Sequence, residues 1–359
     1  MKSFISLIFI IGISTCWAGR HRHPLYQGLI INKDQAYENE VGKAPSVTQT
    51  EPSLPDDDII ARVLPEQLEA YYYGIFADLR NSETPIFGRR GNASVTSSCE
   101  RVRSVPDALR HPINMRPPIN FFYQKYTEAY GIPVLGSSKV VDKALSRACY
   151  VLRFLLADRS DLRQQFYKSY GRIAIMAPSE MTTDIPEHSF LAPVYDEMTR
   201  GLGAIPLAPA SSAGVENVLC LHNDTYRKED ILVREIAQGI QHLAVRHVVP
   251  NFRETLRRLY EQATSSGWWR HTYAALTPDA YFGEGVQSYF NVNSYGSKRG
   301  TNNHVNNRSK LRMYDPQLYM LIEQLWPCGN RYLKRCHSRG FENLQKLRTD
   351  CHPFRYYPS

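Results

Sequence analysis

The stretch Ile231-Leu232-Val233-Arg234-Glu235-Ile236-Ala237-Gln238-Gly239-Ile240-Gln241-His242 holds the residues whose spacing could do chemistry. Its apolar positions recur at helical spacing, which predicts a helix over Glu229 to His247, stopped by Pro250. Positions 234 and 238 then lie one turn apart on one face. A His-Glu-x-x-His helix uses those two positions to grip zinc between imidazoles, and its glutamate takes a proton from the metal-bound water. Here the frame reads Arg-Glu-x-x-Gln. Glu235 keeps the base position. Arg234 stays protonated and has no lone pair for a metal, while Gln238 offers only a neutral amide oxygen. By itself such a frame fits any amphipathic helix.

Other enzyme signatures are weak. Ser211-Ser212-Ala213-Gly214 is not a nucleophile elbow, and Gly201-Leu202-Gly203 lacks the rest of a dinucleotide fingerprint. No nucleic-acid motif occurs. The histidines nearest the helix in sequence or by expectation are His242, His247, His271 and His188, and a shifted metal site among them is the alternative to a vacant one.

The flanking blocks give the Arg-Glu-x-x-Gln helix a meaning. They are Met176-Ala177-Pro178-Ser179-Glu180-Met181-Thr182-Thr183-Asp184-Ile185-Pro186-Glu187-His188, Arg200-Gly201-Leu202-Gly203-Ala204, Glu216-Asn217-Val218-Leu219, Thr272-Tyr273-Ala274-Ala275 and Tyr281-Phe282-Gly283-Glu284-Gly285-Val286-Gln287-Ser288-Tyr289-Phe290. In order and spacing, over Asn120 to Asn293, they resemble the zincin family related to the anthrax toxin lethal factor catalytic domain and the Pro-Pro endopeptidases. The resemblance implies that Arg234 and Gln238 stand at the two histidine ligand positions, Glu235 at the general base and Glu284 at the third metal ligand. Tyr273 and Tyr281 are the candidates for a tyrosine that assists the oxyanion. The departures imply a degenerate, catalytically dead member with no cofactor expected. His242 and Glu284 are the residual metal candidates, and zinc enters only under the alternative of a metallopeptidase with a non-standard site.

Without a dication, Glu235 and Glu284 would repel each other in a poorly solvated pocket. A guanidinium at position 234 can supply the missing positive charge, which predicts an Arg234–Glu284 ion pair. The alternative is that Arg234 extends into solvent from a surface helix.

The chain context is secretory. Lys2 followed by the apolar run Phe4 to Ile13 and the small residues around Ala18 predicts a signal peptide over 1–18. That run is shorter than the ~20 apolar residues a membrane span needs, so no membrane anchor is expected. Six cysteines remain beyond it: Cys99, Cys149, Cys220, Cys328, Cys336 and Cys351. An even set in a secreted chain predicts three disulfides of open connectivity, the rival being a cysteine zinc site that lacks the usual Cys-x-x-Cys spacing. Asn92, Asn223 and Asn307 each begin an Asn-x-Ser/Thr glycan acceptor triplet. Between Lys298 and Arg355 there are 12 Lys/Arg against 4 Asp/Glu, while the rest of the mature chain is nearly neutral. A basic segment of this kind binds anionic glycans, acidic matrix proteins or mineral, or else only solvates a helical face.

The elements that must position the site alternate. The pattern predicts a loop-rich extension over 19–118 with a helix near 65–80, strands at Ile132 to Leu135 and Arg172 to Met176, and helices at Ser138 to Ala157 and Asp161 to Ser169. Gly201 to Gly214 is expected to be irregular and Val218 to Leu221 a strand. Helices follow at Phe252 to Ser265 and Tyr281 to Asn291. The expectation is an α+β fold: a zincin-like domain over 119–295 with a helical site and small mixed sheet, an N-terminal extension and a basic, Cys-containing segment over 296–359. The expected role is a secreted, non-catalytic binding protein or extracellular matrix component, mineralised matrix such as shell included. A toxin-like or defence-related protein that binds a peptide in the inherited cleft is a further reading.

Overall fold

The computed structural model describes residues 91–296, 302–336 and 345–352. The expected signal peptide and the helix near 65–80 lie outside the described residues. The fold is α+β. Five strands stand in sequence order in one mixed sheet: β1 (Arg103–Ser104), β2 (Lys125–Ala129), β3 (Ile132–Gly136), β4 (Arg172–Met176) and β5 (Ala210–Gly214). β1, β2 and β3 pair antiparallel, and β3, β4 and β5 run parallel. The crossover from β3 to β4 consists of α1 (Asp142–Leu155) and α2 (Ser160–Lys168). After β5 come α3 (Ile231–Ile240), α4 (Phe252–Ser265), α5 (Pro278–Tyr289), α6 (Arg308–Tyr314) and α7 (Pro316–Glu323).

Strand alternation sorts the core into two layers. Val134, Ile173 and Ile175 face the helical side, where they join Leu145, Leu152, Ile236 and Ile240. Leu135, Ala174 and Met176 face the other side and pack under Val105, Met115, Ile119 and Tyr123. Both faces of the parallel strands are therefore covered, and β3 and β4 read as apolar runs without polar alternation. The helical layer also takes Leu318, Ile322, Trp326 and Tyr332. Packing thus runs without a break across the expected boundaries near 118/119 and 295/296.

Two expectations for local structure are corrected. Residues 210–214, placed in an irregular stretch, form the edge strand β5. Their small side chains gave no strand signal, but they let α3 lie close: a Cβ on Gly239 would sit 2.4 Å from Ser211 Oγ. The expected strand at Val218 to Leu221 is instead the end of a helical turn, Val215–Val218, followed by Cys220 at φ 58°. The long site helix also differs from expectation. It begins at Ile231, and after Ile240 it widens into a π segment, Gln241–Val245. Helix α5 starts three residues earlier than expected, because Thr277 Oγ1 accepts from the Ala280 amide and Pro278 suits the first turn.

All six cysteines pair: Cys99–Cys149, Cys220–Cys336 and Cys328–Cys351. The first ties residues before the sheet to α1, Cys220–Cys336 ties the C-terminal segment to the body, and Cys328–Cys351 closes a loop within that segment. Such bonds belong to oxidising compartments, consistent with an extracellular protein. No helix among the described residues is long and apolar enough to cross a membrane.

Gly→Ala inside a helix is ordinarily favourable by about 1 kcal/mol. Gly239→Ala is expected to destabilise the protein by ~1–3 kcal/mol instead, since Ser211 Oγ bonds both the Ala204 amide and the Glu235 carbonyl and cannot retreat freely. In urea unfolding, adding Ser211→Ala should remove most of that penalty. Strict additivity of the two changes would refute the contact.

Candidate functional site

Helix α3 is buried on every side, all ten of its residues included. A helix so placed must satisfy each polar side chain it carries. Its first amide, Ile231 N–H, donates to Asn217 Oδ1 at 3.0 Å, and the Asn217 amide group returns to Asp224 and the Glu229 carbonyl. Asp230, at the N-cap, spends its carboxylate elsewhere: Tyr332 Oη donates to it at 2.7 Å and Arg147 stands 3.7 Å away.

Arg234 does not reach solvent; it is 7% exposed. Its Nη1 bonds Glu284 Oε1 at 3.2 Å, so the expected pair is present. Its Nε and Nη2 both reach Glu235 Oε1 at 2.9 Å. Glu229 Oε2 stands 4.0 Å from Nη1, and the guanidinium lies over the Tyr273 ring at 5.1 Å. One cation thus faces three carboxylates. Glu284 accepts a further bond from Asn293 Nδ2 at 2.9 Å, and Glu229 accepts from Ser294 Oγ and Asn302 Nδ2, each at 2.8 Å. Gly283 lets α5 approach: a Cβ there would meet Arg234 Cγ at 2.8 Å and Gln238 Nε2 at 3.0 Å.

The electrostatics follow from burial. Desolvation pushes the Glu284 carboxyl up to about 7, with Arg234 pulling it back and Glu229 pushing it further. Glu235 is likewise raised by burial and restrained by Arg234. Burial works against the Arg234 charge, but Glu235, Tyr273 and Glu284 outweigh it and hold the guanidinium well above its ordinary range.

These residues do not fit a zinc ion. The guanidinium donates to two of the groups that would serve a metal site, and it offers no lone pair. Gln238 turns its amide away, Nε2 donating to the Asp279 carbonyl at 3.0 Å. His242 Nε2 stands 3.3 Å from Asp279 Oδ2, out of line for a hydrogen bond, and is not joined to Glu284. His188 is buried and bonds Ser212 Oγ on β5 at 3.0 Å, while His247 and His271 are exposed. Among the described residues no three His, Cys, Asp or Glu side chains form a metal-holding group. Of the two tyrosine candidates, Tyr273 is at the site. Tyr281 points elsewhere, its hydroxyl donating to Asp315 at 2.5 Å.

Glu229 and Asn293 complete the site without any motif to announce them, and Asn217, which lies in the block Glu216-Asn217-Val218-Leu219, has its role revealed only by its distances in space. Asn92 and Asn223 are exposed, as a glycan requires. Asn307 is half-buried and caps α6 through the Lys310 amide.

No family model matches the chain, and neither curated proteins nor solved structures match it.

Replacing Arg234 by Met is expected to cost ~3–5 kcal/mol in urea unfolding, because it leaves carboxylates buried without their cation. Combining it with Glu235→Gln and Glu284→Gln should restore most of the loss; a triple variant as unstable as the single would show that packing, not charge, matters. His188 supplies a separate test. Burial lowers it from 6.5 to about 4, so between those pH values the unfolded chain binds a proton that the folded one refuses. The His188 contribution to stability should therefore fall by ~3 kcal/mol as pH drops from 6.5 to 4, read as the difference between the parent and His188→Gln, because the raised Glu235 and Glu284 carboxyls act in the opposite direction in both proteins.

Proposed function

We propose that this protein is a secreted, non-catalytic relative of the zincin metalloproteases that acts by binding, as a component of extracellular matrix. The observation that carries the reading is the buried Arg234 guanidinium held between Glu235 and Glu284. In a zincin, a dication neutralises the acidic residues of such a pocket and activates water. Here a side-chain cation supplies the neutralising charge, and Glu235, the residue at the base position, is bound to it. A carboxylate engaged in that way is bound to a guanidinium where a general base must be free to take a proton from water. The mixed sheet with a buried helix bearing the frame and a following helix bearing Glu284 supports the zincin relationship. Three disulfides support the extracellular setting.

The test compares the purified protein with the Arg234→His, Gln238→His double variant, by metal analysis and by cleavage of Pro-rich peptides with and without chelator. The parent is expected to hold zinc far below one equivalent and to cleave nothing. The double variant is expected to take up zinc, because it restores two imidazoles one turn apart beside Glu284. Stoichiometric zinc in the parent, or chelator-sensitive cleavage by it, would establish the alternative, a metallopeptidase with a non-standard site.

A further inference from the structure

Among the described residues, the basic side chains between Lys298 and Arg355 include both cations built into the fold and cations that face solvent. Arg335 is buried: it bonds the Asn217, Arg227 and Glu229 carbonyls and pairs with Asp224 at 2.9 Å. Arg308 donates to the Tyr289 carbonyl at 2.8 Å and lies over the Tyr289 ring at 3.8 Å, and Lys310 reaches Asn306. These cations hold the fold together. Arg331, Lys334, Lys346 and Arg348 are all exposed. Among the described residues none of the four enters an ion pair, although Arg348 acts through space on the buried Asp158.

The four stand on two segments fastened side by side. Asn330 and Arg348 exchange bonds, Asn330 Nδ2 to the Arg348 carbonyl at 2.8 Å and Arg348 N–H to Asn330 Oδ1 at 2.9 Å. Gln345 Nε2 donates to the Arg331 carbonyl at 2.8 Å. Tyr150 Oη, on α1, bridges the two, donating to Gln345 Oε1 and accepting the Leu333 amide. The Cys328–Cys351 bond closes the pair of segments at their far end. Neighbouring charges on each segment are at most about 10 Å apart along the backbone, within a Debye length at physiological salt. Asp350, next along the chain, is taken up by Arg163 at 2.9 Å.

We propose that Arg331, Lys334, Lys346 and Arg348 form one preorganised cationic strip that binds linear sulfated or carboxylated glycans. Guanidinium and ammonium groups on a fixed backbone match a chain of sulfates or carboxylates, with arginine supplying the bidentate contacts. The neighbouring aromatic Tyr332 is buried and so gives bases no stacking platform. Among the described residues of the two segments no Tyr, Phe, Trp or large aliphatic side chain is exposed to serve as the anchor on which protein partners concentrate binding energy. The proposal rests on the reading of the protein as a secreted binding module, and not on the state of the Arg234 pocket.

Deleting the segment would remove Trp326 and Tyr332 from the core, so the test uses side-chain changes in the full chain. Heparin is the probe. Arg331, Lys334, Lys346 and Arg348 are changed together to Gln and, as an equal-charge control, exposed Arg253, Arg257, Arg258 and Arg312 are changed to Gln. At physiological salt the strip variant is expected to bind heparin about tenfold to a hundredfold more weakly than the parent, and the control within a few fold of it. The two halves, Arg331/Lys334 and Lys346/Arg348, changed separately, should each lose part of the affinity, and unchanged thermal unfolding would show that they remain folded. Equal losses in strip and control variants would reduce the effect to net charge and overturn the proposal. So would a parent that does not bind, or a strip variant that binds as the parent does. Poly-glutamate competing as well as heparin at equal charge would overturn the glycan class. None of these outcomes alters zinc content or peptidase activity, so failure here is separable from failure of the non-catalytic reading.

Discussion

A charged residue in the middle of a fully buried helix is the constraint around which this structure is arranged. An unpaired guanidinium in that position would cost several kcal/mol, and so would either carboxylate beside it. Arg234, Glu235 and Glu284 answer one another's charge, Tyr273 covers the guanidinium with its ring, and Asn293 takes the outer oxygen of Glu284. The approach of α5 to α3 depends on Gly283, because any side chain there would strike Arg234. Helix spacing, residue choice and charge therefore form a single requirement.

The same requirement spreads to the ends of the helix. Its first amides and its N-cap are satisfied by Asn217, Tyr332 and Arg147, and Arg335 threads between the carbonyls of the segments that precede it. Residues far down the chain thus close the site helix. The Cys220–Cys336 disulfide fixes them there, a bond of a kind that ordinarily contributes ~2–4 kcal/mol. The segment that charge counting marks as a basic tail is in part structural core, which is why only a subset of its cations faces solvent.

Metal and guanidinium are alternative solutions to one electrostatic problem, an acidic pocket with little water. They differ in what they permit afterwards. A metal with an open position binds and polarises a ligand, whereas a guanidinium saturated by two carboxylates neutralises charge and leaves little reactivity. In this pocket the positive charge facing Glu235 and Glu284 is the Arg234 guanidinium.

Much of this was legible in the residues alone. The Arg-Glu-x-x-Gln frame, the apolar strands at 132 and 172, the helix over 252–265 and an even set of six cysteines all follow from periodicity, spacing and count, which are local properties. The pairing of Arg234 with Glu284 was legible only through the family resemblance that implies metal-ligand positions for both, since two carboxylates without a dication demand a cation. Other features needed the folded chain. Ala210 to Gly214 carries no strand signal, and becomes a strand because β4 offers a parallel edge and α3 needs small residues beneath Gly239. Glu229, Asn293 and Asn217 belong to the site only through distances in space. The disulfide partners, the π segment after Ile240 and the division of basic residues into buried and exposed sets likewise depend on contacts between residues far apart in the chain. Helical and strand patterns report which face of an element is apolar; what lies against that face is decided by packing.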